Sequence, residues 1–245
     1  MTLYDDVIRG WEERISGCDK KTLDFATAKT WEDAGKNNMI LRSDMAYELG
    51  GASNKLYALG STVITGTDSL VPQDEVGLVG KDIPEISEDT SYTRLTVVLV
   101  DEDSMGEGDA LYSAIRNIEY VRYQISPKGF MMRVSTTHNR ESVRVSKEAV
   151  ASGLTFSSVG KAFVDHLHKN PKVKAVKIIF ITEPDFNYKE LEKDVLQAEA
   201  ITKTIDHVFK NVSMDCNACN LKEVCDEVEG LKELHFKNSN TSAEV

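Results

Sequence analysis

No stretch of this sequence approaches the ~20 apolar residues needed to cross a bilayer. The longest candidate, Ala175 to Ile181, has Lys177 inside it. The amino terminus carries Asp5, Asp6, Arg9, Glu12, Glu13 and Arg14 and no apolar run, which argues against a secretory signal. A cytoplasmic protein with no membrane partner is therefore expected. Positive charge is also short: 29 Lys and Arg stand against 40 Asp and Glu, a formal charge of −11. General nucleic-acid binding is not expected of such a chain, because neutralising phosphates needs a basic face. Cysteine is scarce at four residues, and in a reducing compartment these thiols read as ligands rather than as a disulfide framework. Internal repeats and low-complexity linkers are missing too, while 41% apolar residues over 245 positions suffice for a globular core.

What cysteine there is, is concentrated. Cys216, Cys219 and Cys225 fall within ten positions, with Cys18 far upstream. A C-x-x-C followed by another Cys reads first as a metal or iron–sulfur ligand set and second as a redox pair. A redox C-x-x-C belongs at a helix start after a strand, where the macrodipole lowers the thiol pKa. This one follows an expected long helix and sits beside Asp215, Glu223, Asp226 and Glu227, whose field opposes thiolate formation. Zinc requires four ligands, and His235 is the nearby residue able to join the three thiolates. Iron–sulfur ligation by three cysteines leaves one iron for a different ligand or for one lent by another subunit. A degenerate motif that binds nothing in isolation is the remaining alternative. His166 and His168, two apart on an expected helix, face different directions, and His138 and His207 are isolated, so no catalytic residue is named.

Charge is distributed unevenly. Between Arg116 and Lys147 seven basic residues stand against two acidic ones, Glu119 and Glu141, so the segment is +5 and the remainder −16. Such a patch suits a small anion or an acidic partner surface, although alternating Arg and Lys also simply solvate exposed faces. The acidic loop Asp101 to Asp109 contains Gly106 and Gly108, but its carboxylates would repel a phosphate, so it is not read as a nucleotide-binding turn.

Hydrophobic spacing predicts helices over Thr2 to Glu13 and Lys21 to Asp33, then a pair of strands over Ile40 to Leu49 and Lys55 to Ile64 joined near Asn54. A short strand is expected near Val76 to Val79. A buried strand at Thr93 to Val100 leads to a helix over Ala110 to Gln124. Strands follow at Phe130 to Ser135 and Ser142 to Ser146, with Ser146 capping a short helix from Lys147 and another helix opening at Ser157 or Ser158. Val173 to Thr182 reads as a strand covered on both sides, and Tyr188 to Phe209 as one long helix. The expected fold class is mixed α/β (α+β): one central mixed sheet flanked by helices, an N-terminal helical arm over 1–38, a body over 39–212, and a C-terminal cysteine motif and tail over 213–245.

Six stretches, in order, resemble one family: DMAYELGG (44–51), GLVGKDIPEI (77–86), LTVVLVDE (95–102), NRESVRVSKEAVASGLTF (139–156), KIIFIT (177–182) and CNACNLKEVC (216–225). The family is the acetyl-CoA synthase (beta) subunit of the carbon monoxide dehydrogenase/acetyl-CoA synthase complex, and the likeness is to its middle domain and the start of its cluster-binding domain. The resemblance implies that Cys216 and Cys219 match the opening pair of a four-cysteine [4Fe–4S] set and Cys225 the third. No fourth counterpart is present, nor the later C-G-C that holds nickel in the family, so nickel is not expected in this chain alone. It also implies a coenzyme A role for the basic segment, with Arg133, Arg140, Arg144 and Lys147 meeting phosphates, since Arg offers paired donors to phosphate oxygens. The expected function is an accessory module in carbon monoxide/acetyl-CoA metabolism, binding coenzyme A or a partner such as a carbon monoxide dehydrogenase, a corrinoid protein or a cluster-domain subunit. The alternatives are one chain of a split acetyl-CoA synthase, or a small zinc or iron–sulfur protein.

Overall fold

The continuous apolar runs become the strands at the centre of the molecule. A computed structural model describes residues 2–51, 56–134 and 140–209. In chain order it contains α1 (Asp5–Ser16), β1 (Lys20–Thr22), β2 (Ala46–Leu49), β3 (Ala58–Thr65), β4 (Glu75–Val79), β5 (Tyr92–Val100), α2 (Glu102–Met105), α3 (Asp109–Glu119), β6 (Phe130–Val134), β7 (Glu141–Ser146), α4 (Lys147–Ala151), α5 (Phe156–Leu167), β8 (Val173–Ile181) and α6 (Tyr188–Phe209). The mixed α/β class is as expected. The central mixed sheet has five strands in the order β1-β4-β8-β5-β3, and a second, antiparallel sheet of order β2-β7-β6 accompanies it. Within the larger sheet β3 runs parallel to β5 and β4 parallel to β8, while β5 and β8 are antiparallel.

The two faces of the five-stranded sheet are covered differently. Side chains alternate across a strand, and on one face Thr65 donates a hydrogen bond to Asp5 of α1 at 2.8 Å while Lys177 meets Glu12 at 2.6 Å. Helix α1 lies on that face with α6: the Tyr4 and Thr202 hydroxyls are 2.9 Å apart, and Arg14 grips Asp194 through two donors. Val7, Ile8, Trp11 and Ile15 on α1 are buried, as are Leu191, Val195 and Ile205 on α6. On the opposite face sit α5 and the three-stranded sheet. Gly160 of α5 lies so close to Val76 that a Cβ would stand 2.6 Å from its methyl, which lets helix and strand approach directly. Phe156, Phe180, Tyr92 and Phe130 form a chain of ring contacts that fills the interior on this side.

Two expectations fail for reasons of tertiary pairing. Lys21 to Asp33 has helical spacing but forms no helix. Instead β1 pairs with β4, Leu23 N–H extends that pairing to Val76 O at 2.7 Å, and Trp31 Nε1 donates to Lys128 O at 2.8 Å. The stretches ending at Leu49 and Ile64 are both strands, but β2 pairs with β7 and β3 with β5, so they belong to different sheets. The β6–β7 hairpin partners, the Ser146 cap on Ala149 N–H, and the full span of α6 agree with expectation. Helix α5 is capped by Thr155 rather than Ser157 or Ser158. Among the described residues no helix is long and apolar enough to cross a membrane.

Candidate functional site: a cationic sheet face

The three-stranded sheet has one buried face and one polar face, as the strict alternation of β7 dictates: Glu141, Val143 and Val145 are buried, whereas Ser142, Arg144 and Ser146 are partly exposed. Register places Glu48 of β2 beside Arg144 of β7, with Met131 of β6 on the far side. Glu48 is the anchor of the polar face. Its side chain is only 8% exposed; one carboxylate oxygen takes Arg144 Nε at 2.6 Å and the other accepts from Arg133 Nη2. Charge-assisted pairing of this kind fixes both guanidinium planes. Two cations on one carboxylate also leave the cluster with a net positive charge.

The four basic residues marked in the sequence play unequal parts here. Arg144 spends its donors inward, on Glu48 and on the carbonyls of Ile40 and Leu41 at 2.6 and 3.2 Å, and thereby ties down the segment before β2. Arg133 is 38% exposed, and its Nε–H is buried with no acceptor among the described residues. Lys147 bonds Asp44 O at 2.9 Å and lies 5.3 Å over the Tyr47 ring. Arg140 is exposed immediately before β7. Beside them Met39, Leu41 and Met45 are 65, 77 and 51% exposed, an apolar rim unusual for side chains of that size.

Sequence reasoning missed the carboxylates that organise these arginines. Glu119 and Glu141, the two acids of the basic segment, are both engaged by arginine. Glu141 meets Arg94 Nε and Nη2 at 2.7 and 2.6 Å, with both side chains fully buried between the sheets. Arg94 also donates to Thr62 and Thr96. Gly60 makes room for this pair, since a Cβ there would stand 2.5 Å from Glu141 Cβ. Glu119 pairs with Arg116 one helical turn away, and burial raises its pKa against the lowering effect of Arg116. An isolated acid in a basic, apolar stretch was the available signal.

Cys216, Cys219, Cys225 and His235 lie outside the described residues, as does His138. Among the described residues no group of three His, Cys, Asp or Glu is arranged to hold a metal ion. Cys18 is free and partly buried, its thiol 3.8 Å from Arg14 O. His166 and His168 diverge, to Gln124 and to Asp74 respectively, each at 2.9 Å.

Fold and site together define a two-sheet α/β domain whose candidate ligand chemistry lies on an open, cationic sheet face. The sequence model of one family, described as the CO dehydrogenase/acetyl-CoA synthase complex beta subunit, matches residues 33–186, well over half of the chain, and the chain belongs to that family. The match takes in both sheets except β1, and stops before α6 and the cysteine cluster. No curated protein sequence matches the chain.

Proposed function

We propose that the chain is an acetyl-CoA synthase-like module that binds coenzyme A and a protein partner within carbon monoxide/acetyl-CoA metabolism. The carrying observation is the Glu48-anchored cation face: Arg133 is held in place by a mostly buried carboxylate while its Nε–H has no acceptor among the described residues, on a sheet that also carries Arg140 and Lys147 at the two ends of β7. Preorganised guanidinium forks suit phosphate oxygens, and little side-chain entropy is lost on binding. In this reading Arg133, Arg140 and Lys147 contact coenzyme A phosphates, while Arg144 positions the face. Met39, Leu41 and Met45 form the partner-facing rim, where exposed apolar side chains ringed by charge favour protein contact. Calorimetric titration with coenzyme A tests it: saturable binding that weakens about tenfold in Arg133→Gln is expected, and no heat at millimolar ligand would remove the reading.

Cys216, Cys219 and Cys225 fit this role as a partial iron–sulfur or zinc site, with His235 or a second chain as fourth ligand. Three thiolates without a fourth favour, as the second reading, one chain of a split acetyl-CoA synthase. Anaerobic purification with metal analysis separates the two, since a self-sufficient site carries metal alone whereas a shared one gains it only when the partner chain is added.

A further inference from the structure

A second polar concavity lies away from the cation face, at the β3 edge of the larger sheet, where α3 and the 3-10 turn Tyr120–Tyr123 meet α6. Its volume is about 210 Å³. Its lining combines the Tyr112, Tyr120 and Tyr123 rings, cationic side chains, and the hydroxyl residues Ser61 and Thr202. Arg116, Arg122 and Lys203 face Glu119 and Glu199 across it, a net charge of +1 in a chain that is −11 overall.

Those cations are not equivalent. Arg116 is committed to Glu119 and to the Tyr120 hydroxyl at 2.9 Å. Arg122 stacks over the Tyr123 ring at 5.1 Å, makes one long bond of 3.4 Å to that hydroxyl, attracts the Glu119 carboxylate less strongly than Arg116 does, and buries an Nε–H that meets no acceptor among the described residues. A buried donor on a charged group is costly to leave unmade, and a planar guanidinium with a free edge is the group best shaped to close on an oxyanion. Among the described residues Lys203 pairs with Glu199 on its own helix, at 2.7 Å and with its side chain 56% exposed, so its ammonium can turn into the cleft at little cost.

We propose that this cleft binds a small organic molecule bearing a carboxylate or phosphate group, with Arg122 as the closing fork, Lys203 as the second cation, and the Ser61 and Thr202 hydroxyls as further polar partners. Eight of the lining residues lie within the family match, and the α6 wall lies beyond residue 186. It does not depend on the coenzyme A reading, which concerns the other sheet.

The test is an NMR titration of the full chain, following the Arg122 Nε–H resonance, with inorganic phosphate, acetate and benzoate as probes and benzamide as the neutral control. Saturable shifts with at least one oxyanion, weakened about tenfold in Arg122→Gln and by less in Lys203→Met, with none from benzamide, are expected. Phosphate alone saturating assigns a phosphate ligand, and acetate or benzoate alone a carboxylate. Absence of saturation with every probe would overturn the site, as would equal binding by an Arg122→Gln protein whose melting curve matches the parent. Since coenzyme A is not a probe, this outcome is independent of the calorimetric one.

Discussion

The two faces of the three-stranded sheet each carry one glutamate that arginine has captured, and the two captures do different work. On the inner face Glu141 and Arg94 are fully buried, each guanidinium nitrogen of the arginine has an acceptor, and a glycine on the neighbouring strand has given up its side chain to admit them. On the outer face Glu48 is nearly as buried, but its two arginines reach solvent and one has a donor without an acceptor among the described residues. The same residue pair is a joint between sheets when dry and, in the function proposed above, a cradle for an incoming anion when half wet. Burial of the arginine, more than of the glutamate, decides which.

Substitutions should separate the two captures. Arg94→Met leaves Glu141 charged and unpaired between the sheets, and a loss of about 3–5 kcal/mol in urea unfolding is expected. The double variant Arg94→Met, Glu141→Leu should recover most of it, because the penalty comes from the orphaned charge. Gly60→Ala drives a methyl into Glu141 and should cost about 1–3 kcal/mol; a neutral effect would mean that the pair has room to shift. On the outer face, Glu48→Gln should cost only about 1.5 kcal/mol, since water takes over the released guanidiniums, yet coenzyme A binding should weaken with it. Equal destabilisation by the Glu48 and Arg94 variants would dissolve the contrast.

The smallest expected effect concerns pH. Burial raises the pKa of Glu119, so the folded chain holds that proton more tightly than the unfolded one. Its stabilising contribution is complete below the ordinary glutamate range and is lost as pH rises through the raised folded value. Unfolding free energy measured across mildly acidic pH should therefore decline less steeply with rising pH in Glu119→Gln than in the parent.

Much of the scaffold was readable because its signals are local. The continuous run Val173 to Ile181, the alternation of Glu141 to Ser146, the Ser146 cap and the stripe of α6 each express a short-range rule, and each is realised. What could not be read depends on a partner far along the chain. Leu23 to Trp31 has helical spacing, but hydrogen bonds to Val76 and Lys128 hold its backbone in another form. That β2 and β3 part into separate sheets is equally invisible to periodicity, which says which face a residue occupies and nothing about its neighbour strand. For the site, four cations were visible as a charge excess. Which of them is free was not, because it turns on Glu48, a single acid in a strand, and on carbonyls of Ile40 and Leu41 about a hundred residues away from Arg144.

The embrace of α1 by α6 has a consequence for how the chain comes into being. Arg14 finds Asp194, and Tyr4 finds Thr202, across intervals of 180 and 198 residues. On a ribosome adding about 5–20 residues per second, the first helix emerges with Val7, Ile8, Trp11 and Ile15 uncovered and waits tens of seconds for its cover. During that interval the nascent chain presents an apolar stripe, and synthesis of α6 is the event that completes its cover.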